Sequence, residues 1–328
     1  MRQWWACVFS KHILEHLGIG LNVLFSLFLV FHLVSCHTLP RLNKEYGKEI
    51  PTETRSPVLT ATPQPTVWSS PTPTVEATEE ATPQPTKTPA AKVFTITIVY
   101  DNYLYKKGLE TDWGFSALVE YGEEKILFDT GASGSILLSN MRKLDIDPKR
   151  INKVVLSHIH GDHIGGLQAL LNSGARPTVY LLPSFSASYK AELRKTVKVV
   201  EVKAGQKLSE RVYTTGALPG PPPEQALVLD TTHGLVVITG CAHPGVVTMV
   251  ETAKRHFHES PYLVLGGFHL FNKSEAYIQG VINEFHRLGV TYAAPCHCSG
   301  MKTRAMFAKD YGNKYVEVGV GKVIEIKP

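Results

Sequence analysis

His158, Ile159, His160, Gly161, Asp162 and His163 place three imidazoles and a carboxylate within six residues. Imidazole nitrogen and carboxylate oxygen are ligands for zinc and similar first-row ions. In extended chain, residues two apart point the same way, so His158 and His160 can grip one ion together. Asp162 and His163 lie beyond Gly161, where the chain can turn into a helix, and they project toward a second ion. Two ions held roughly 3.5–4 Å apart can share a hydroxide and clamp the oxygens of a hydrolytic reaction. Single histidines are common in polar loops; a cluster of this density is not.

The flanking residues say how the cluster is carried. Val154, Val155 and Leu156 read as a buried strand, and Gly165 and Gly166 precede an apolar run from Leu167 to Leu171. This is a strand that ends in the cluster and turns into a helix. Further strands are expected at Val93 to Tyr100, Phe115 to Tyr121, Lys125 to Asp129, Lys153 to Ser157, Thr178 to Leu182 and Val197 to Val202. Others are expected at Gln225 to Asp230, Gly234 to Thr239, Tyr262 to Leu265 and Thr291 to Ala294, with two short strands ending at Ile326. Helices are expected at Ser135 to Leu144, Ser186 to Lys195, Gly245 to His256, Ser274 to Leu288 and Lys302 to Lys309. Interleaved strands and helices with ligand-rich strand ends fit a layered α/β protein.

The HIHGDH run resembles the HxHxDH signature of the metallo-β-lactamase superfamily. Phe128 to Gly131 resembles that superfamily's early strand-end Asp-Thr-Gly. Thr239 to Gly245 (TGCAHPG), Gly266 to Leu270 (GGFHL) and Pro295 to Gly300 (PCHCSG) resemble the branch that includes the dihydropterin synthase of methanopterin biosynthesis. The resemblance spans about Val93 to Lys327. It implies a four-layer αββα sandwich with two divalent metal ions at one edge, zinc first, manganese or iron as alternatives. His158, His160, Asp162 and His163 carry over as ligands, and His297 stands at the late histidine position. Many relatives place a histidine in a stretch that here, Gly216 to Ala226, has none, and a bridging Asp where this chain has Gly240 and Cys241. The Gly-Cys-Ala-His motif stands in for both: His243 is expected to be a ligand, and Cys241 either a thiolate ligand or a small buried residue. His269 is expected to bind metal or to donate to substrate, a satisfied core histidine being the alternative. Asp129 is expected to accept from a ligand histidine and fix its tautomer. Cys296 and Cys298 are expected to point away from His297, as neighbours in extended chain do. Glu224 and Gln225 resemble the branch's acidic-Gln pair near the pocket.

The expected function is metal-dependent hydrolysis, in which a metal-bound hydroxide attacks an ester, phosphoester or lactone-like small molecule. Asp162 would serve as ligand and proton carrier, and His269 would orient substrate or stabilise an oxyanion. One alternative is the pterin-condensing synthase chemistry of the related branch. Another is an iron-binding redox module using Cys241, Cys296 and Cys298, although the chain has no CxxC and no flavin-binding domain. Substrate choice is expected to rest on the loops Tyr103 to Trp113 and Ala217 to Glu224.

The chain has 328 residues, 43% hydrophobic and 19% charged, which is ordinary globular composition. Its net charge of +5 comes without a long basic block, so nucleic acid is not implied as a partner. Five cysteines, an odd number, make no disulfide framework. Leu17 to Ser35 contains no Asp, Glu, Lys or Arg and is long enough to cross a bilayer or to be the apolar part of an export signal. Leu33, Val34, Ser35 and Cys36 resemble a bacterial lipobox, in which Cys36 would be lipidated; an uncleaved anchor is the alternative. From Thr38 to Ala91 the chain is rich in Thr and Pro, with TPQPT at Thr62 to Thr66 and again at Thr82 to Thr86. Such a tract has few apolar residues to bury and reads as an extended linker. Three parts follow: an anchor or signal over 1–36, a linker over 37–91 and a catalytic domain over 92–328. The domain is expected outside the cytoplasm, tethered to the membrane.

Overall fold

The computed structural model describes residues 92–327, so the expectations for the anchor, for Cys36 and for the linker lie outside the described residues. Among the described residues, thirteen strands form two sheets. The first sheet contains β1 (Phe94–Tyr100), β2 (Ser116–Tyr121), β3 (Glu124–Phe128), β4 (Lys153–Val155), β5 (Thr178–Leu181), β6 (Val199–Glu201) and, last in the chain, β13 (Val323–Ile326), in the order β13-β1-β2-β3-β4-β5-β6. The second contains β7 (Ala204–Ser209), β8 (Val212–Gly216), β9 (Leu227–Thr231), β10 (Gly234–Thr239), β11 (Pro261–Gly267) and β12 (Tyr292–Cys296), in the order β12-β11-β10-β9-β8-β7.

Side-chain alternation builds the layers. In β1, Ile96 and Ile98 face a core shared by the two sheets, and Val99 and Tyr100 face the opposite way. In β4, Val155 joins that central core and Val154 joins the outer one. The outer core of the first sheet is closed by α1 (Gly134–Lys143), α3 (Leu167–Asn172) and α4 (Ala187–Arg194), through Leu137, Leu170 and Leu193 among others. The short α2 (Gly161–Ile164) lies between β4 and α3. On the second sheet, α5 (Val246–Phe257), α6 (Glu275–Leu288) and α7 (Met301–Tyr311) bury Met249, Ile282 and Phe307. The result is helix, sheet, sheet, helix, as the resemblance implied. Helix ends obey local chemistry: Ser133, Ser186 and Ser274 each accept from a first-turn N–H, and α6 stops at Gly289 in left-handed backbone.

Strands β3 to β6 run parallel, as do β10 to β12, so several carboxyl ends open on the same crevice. Those ends lead into Asp129, His158, Cys241, His269 and His297. Two expectations change. The polar hairpin β7–β8 is an addition, and the expected pair of strands at the C-terminus is one strand, β13, preceded by isolated bridges from Tyr315 to Ala293 and from Val320 to Leu104. Among the described residues, no helix is long and apolar enough to cross a membrane.

Gly131, just after β3, shows how tightly the crevice floor is built. Its φ is +67°, and a Cβ there would lie 2.4 Å from the Tyr100 ring. Gly131→Ala is expected to cost about 2–4 kcal/mol, combining left-handed strain with overpacking. Urea unfolding checks this; a change under about 0.5 kcal/mol would contradict the close approach.

Candidate metal centre

Asp129 leaves β3 in left-handed backbone, φ 59°, and is fully buried. Its Oδ1 accepts from the Ser157 N–H at 2.7 Å, and its Oδ2 accepts from Ser157 Oγ and from His163 Nδ1, each at 2.7 Å. Ser157 Oγ in turn accepts from His158 Nδ1–H at 2.9 Å. One buried carboxylate therefore fixes two histidines, each with Nδ1 protonated and Nε2 turned toward the crevice.

These nitrogens converge. His158 Nε2 lies 3.1 Å from His160 Nδ1, and the His243 ring centroid lies 4.7 Å from that of His158 and 4.8 Å from that of His160. His243 Nε2 is buried with no hydrogen-bond partner. Alongside, His163 Nε2 and His297 Nε2 approach Cys241 Sγ at 3.2 and 3.4 Å, and Asp162 Oδ2 at 3.5 and 3.3 Å. His297 Nδ1–H donates to Asn102 Oδ1 at 3.0 Å, which again turns Nε2 toward the crevice.

Two candidate ligand groups result. Asp162, His163, Cys241 and His297 offer donor atoms within 4.8 Å of one another, as do His158, Cys241 and His243, with His160 beside them. Cys241 Sγ belongs to both. This is the position at which a bridging Asp was expected. A third set, Cys241, His269 and Cys298, meets the same spacing. His269 lies at the margin, its ring 4.5 Å from that of His243 and its buried Nδ1 without a partner.

The donor chemistry fits divalent ions. Burial and the neighbouring imidazoles hold His158 far below the usual histidine range, and burial, His269 and His160 bring His243 down to about 4. Both stay neutral, the state in which imidazole can take a metal ion. Burial opposes the charge of Asp162, but the His297 hydrogen bond and the His163 charge outweigh it and keep its pKa well below the carboxylate range. Burial also works against a charged His163, yet Asp129 carries its pKa up to about 9, so its Nε2 holds a proton that a bound ion would displace. A cluster of imidazole nitrogens, a carboxylate and a thiol, with an unpartnered buried Nε2 among them, is what a metal ion satisfies.

The loop Gly240 to His243 is held by Glu224, which is fully buried. Its Oε1 accepts from the N–H groups of Gly240, Cys241 and Ala242 at 3.1, 2.9 and 2.9 Å, and its Oε2 accepts from that of His243 at 2.8 Å. Burial pushes its pKa up to about 7 against the pull of these donors. Gln225 ties the same segment to the other sheet, donating from Nε2 to Leu156 O at 2.8 Å and from its backbone N–H to Ser157 O at 3.0 Å.

Sequence reasoning named every residue of the two donor groups but missed Ser157 and Asn102, which orient His158 and His297. Each sits beside a strand end, a serine just before the HIHGDH run and an Asp-Asn pair after β1, which was the available signal. Neither Cys296 nor Cys298 shares a donor group with His297, in keeping with the expectation; Cys298 lies instead close to Cys241 and His269. His297 has φ 45° and opens a short 3₁₀ turn, so strand alternation ends at Cys296.

The fold and motifs have known counterparts. Residues 114–256 match the Metallo-beta-lactamase superfamily. The 7,8-dihydropterin-6-methyl-4-(beta-D-ribofuranosyl)-aminobenzene-5'-phosphate synthase of Methanocaldococcus jannaschii is 28% identical over 289 residues, covering 73% of this chain and 98% of that protein. The crystal structure of Tm1679, a metal-dependent hydrolase of the beta-lactamase superfamily, is 28% identical with a TM-score of 0.63, covering 72% of this chain and 100% of that one. The metallo-beta-lactamase fold protein YhfI from Bacillus subtilis shares the fold at 16% identity and a TM-score of 0.55, covering 72% of this chain and 100% of that one. With the αββα layers, the HIHGDH run and these matches together, the chain carries a metallo-β-lactamase superfamily domain.

Proposed function

We propose that this domain is a metal-dependent hydrolase of an ester, phosphoester or lactone-like small molecule, working with two divalent ions, zinc being the expected pair. The single observation that carries the reading is the pair of ligand groups joined through Cys241 Sγ. His158 Nε2, His160 Nδ1 and His243 Nε2 would hold one ion, and Asp162, His163 Nε2 and His297 Nε2 the other. When bound, such ions supply Lewis acidity and lower the pKa of water.

The chain's own groups divide the remaining work. Asp129, Ser157 and Asn102 keep the ligand tautomers fixed. Asp162, whose side chain keeps 18% exposure while His163 and His297 are sealed, is the ligand group able to exchange a proton with the crevice. A cavity of about 280 Å³ opens beside His243 and is lined by His269, Thr248, Lys273 and Tyr277. His269 would there orient the bound molecule or donate to an oxygen that gains charge. A second reading is favoured by the 28% identical synthase, almost all of whose length is matched: condensation of a pterin diphosphate with an aminobenzene-ribofuranosyl phosphate.

Elemental analysis of the full-length protein is expected to find two divalent ions per chain, and Cys241→Ala to lose more metal than any single histidine variant. His160→Ala is expected to lower ester or phosphoester turnover at least a hundredfold. Purified protein devoid of metal, or full turnover by His160→Ala, would sink the hydrolase reading; condensation of the pterin substrates without ester hydrolysis would select the second.

The Glu224 clamp makes a separate forecast. In Glu224→Gln an amide NH₂ replaces Oε2 and faces the His243 N–H, donor against donor. The expected cost is about 1–3 kcal/mol of stability together with weakened metal binding. Chemical unfolding and metal titration read both, and a variant with unchanged values would show that the clamp is dispensable. From residues 1–91 alone we also propose that the domain is exported and tethered through lipidated Cys36. Cys36→Ser is expected to move the protein from the membrane fraction to the soluble fraction, and an unchanged distribution would instead favour an uncleaved anchor.

A further inference from the structure

Two large aromatic side chains stand exposed beside the second ligand group. Trp113 and Phe271 are each 49% exposed, although most rings of this domain are buried. They come from segments far apart in sequence and meet edge to face, with centroids 6.2 Å apart and planes at 78°. The Trp113 ring also leans on the His297 ring, 5.1 Å away.

Neither aromatic is loosely held. The Trp113 N–H donates to Asp112 Oδ1 at 2.7 Å, and Asp112 Oδ2 accepts from the Tyr100 hydroxyl at 3.3 Å. The next residue, Gly114, donates to Asn102 Oδ1, the same atom that accepts from His297 Nδ1. Gly114 has φ +147°, and a Cβ there would lie 2.5 Å from Asp162 O, so this segment presses directly on the ligand-bearing turn. On the other side, the Phe271 N–H donates to Cys298 O at 3.2 Å, one residue beyond His297. The backbones carrying both rings are thus fastened to the neighbours of His297, and a fixed, exposed pair of large aromatics is a surface suited to contact a bound molecule.

We propose that Trp113 and Phe271 form a platform beside His297 for a planar aromatic ring carried by the substrate. Two rings at nearly right angles offer a third ring one face to stack on and one edge to meet, the two arrangements that aromatic pairs favour. A saturated chain would use the apolar area of these side chains but not their relative angle. The inference rests on the hydrolase reading only in taking the ring to be part of that site's substrate.

The test uses the full-length, metal-loaded protein with three non-hydrolysable probes, phenylphosphonate, cyclohexylphosphonate and methylphosphonate, and calorimetric binding. Phenylphosphonate is expected to bind about tenfold more tightly than methylphosphonate, with cyclohexylphosphonate close to the methyl compound. Trp113→Leu and Phe271→Leu are each expected to remove most of the phenyl preference while metal content and methylphosphonate affinity hold. Trp113→Phe, which keeps a ring, is expected to retain part of it and serves as the reference if a leucine variant fails to fold. A wild-type protein that binds none of the probes, or shows no phenyl preference, overturns the proposal. So do a cyclohexyl probe that matches the phenyl one and leucine variants that keep the preference. If the phenyl preference stands while no ester is turned over, the hydrolase reading fails and the platform survives.

Discussion

Glu224 is the interaction on which the centre depends. Its two oxygens take four backbone N–H groups from the consecutive residues Gly240 to His243, the loop that carries the shared thiol and one histidine of the first group. Burying a carboxylate is costly unless its lone pairs are filled, and here they are filled by donors that have no helix or ladder to serve. The loop needs that hold, because Ala242 adopts φ 62° without being glycine. The adjacent Gln225 is bonded to Leu156 and Ser157 at the end of β4. The first sheet brings Asp129, His158, His160, Asp162 and His163, and the second brings Cys241, His243, His269 and His297. Glu224 and Gln225 fasten one half to the other, so the spacing between the halves is set by hydrogen bonds as well as by the packing of the central core.

The candidate ligands differ in how readily the sequence reveals them, and the difference follows chain distance. His158 to His163 are local: strand, glycine turn and helix place them by backbone geometry that any reader of the sequence can apply. Cys241, His243 and His297 reach the site only because β10 and β12 end at the same crevice, and nothing in their own segments states that; motif resemblance alone supplied them. Ser157 and Asn102 act through another residue's ring, so neither has a ligand's chemistry to betray it. The hairpin β7–β8 escaped because Ala204 to Ser209 is a polar strand at a sheet edge, exposed along much of its length, with little hydrophobic alternation to detect.

Backbone strain is concentrated where the chemistry is. Asp129, Ala242, His269 and His297 all have positive φ, and all four stand just beyond strand ends. A chain leaving a strand in left-handed backbone turns sharply and aims its side chain back across the strand end. Each such residue costs of order 1 kcal/mol or more, and it persists because buried hydrogen bonds hold its surroundings. For Asp129 these are the bonds to Ser157 and His163, for Ala242 the Glu224 clamp, and for His297 the contacts of Asn102.

The two ligand groups are not equally fixed, and this gives the crevice a direction. His163 and His297 each have the outer nitrogen occupied, by Asp129 and Asn102, and both are fully buried. In the other group His158 has Ser157, but His160 is exposed and, among the described residues, its only side-chain hydrogen bond is to His158. The cavity beside His243 and His269 opens on that less restrained side. Trp113 and Phe271 rise beside the rigid His297. A molecule reaching from the cavity to the aromatic pair would therefore meet both groups. That axis, from soft to rigid, follows from which imidazoles have a hydrogen-bond partner behind them.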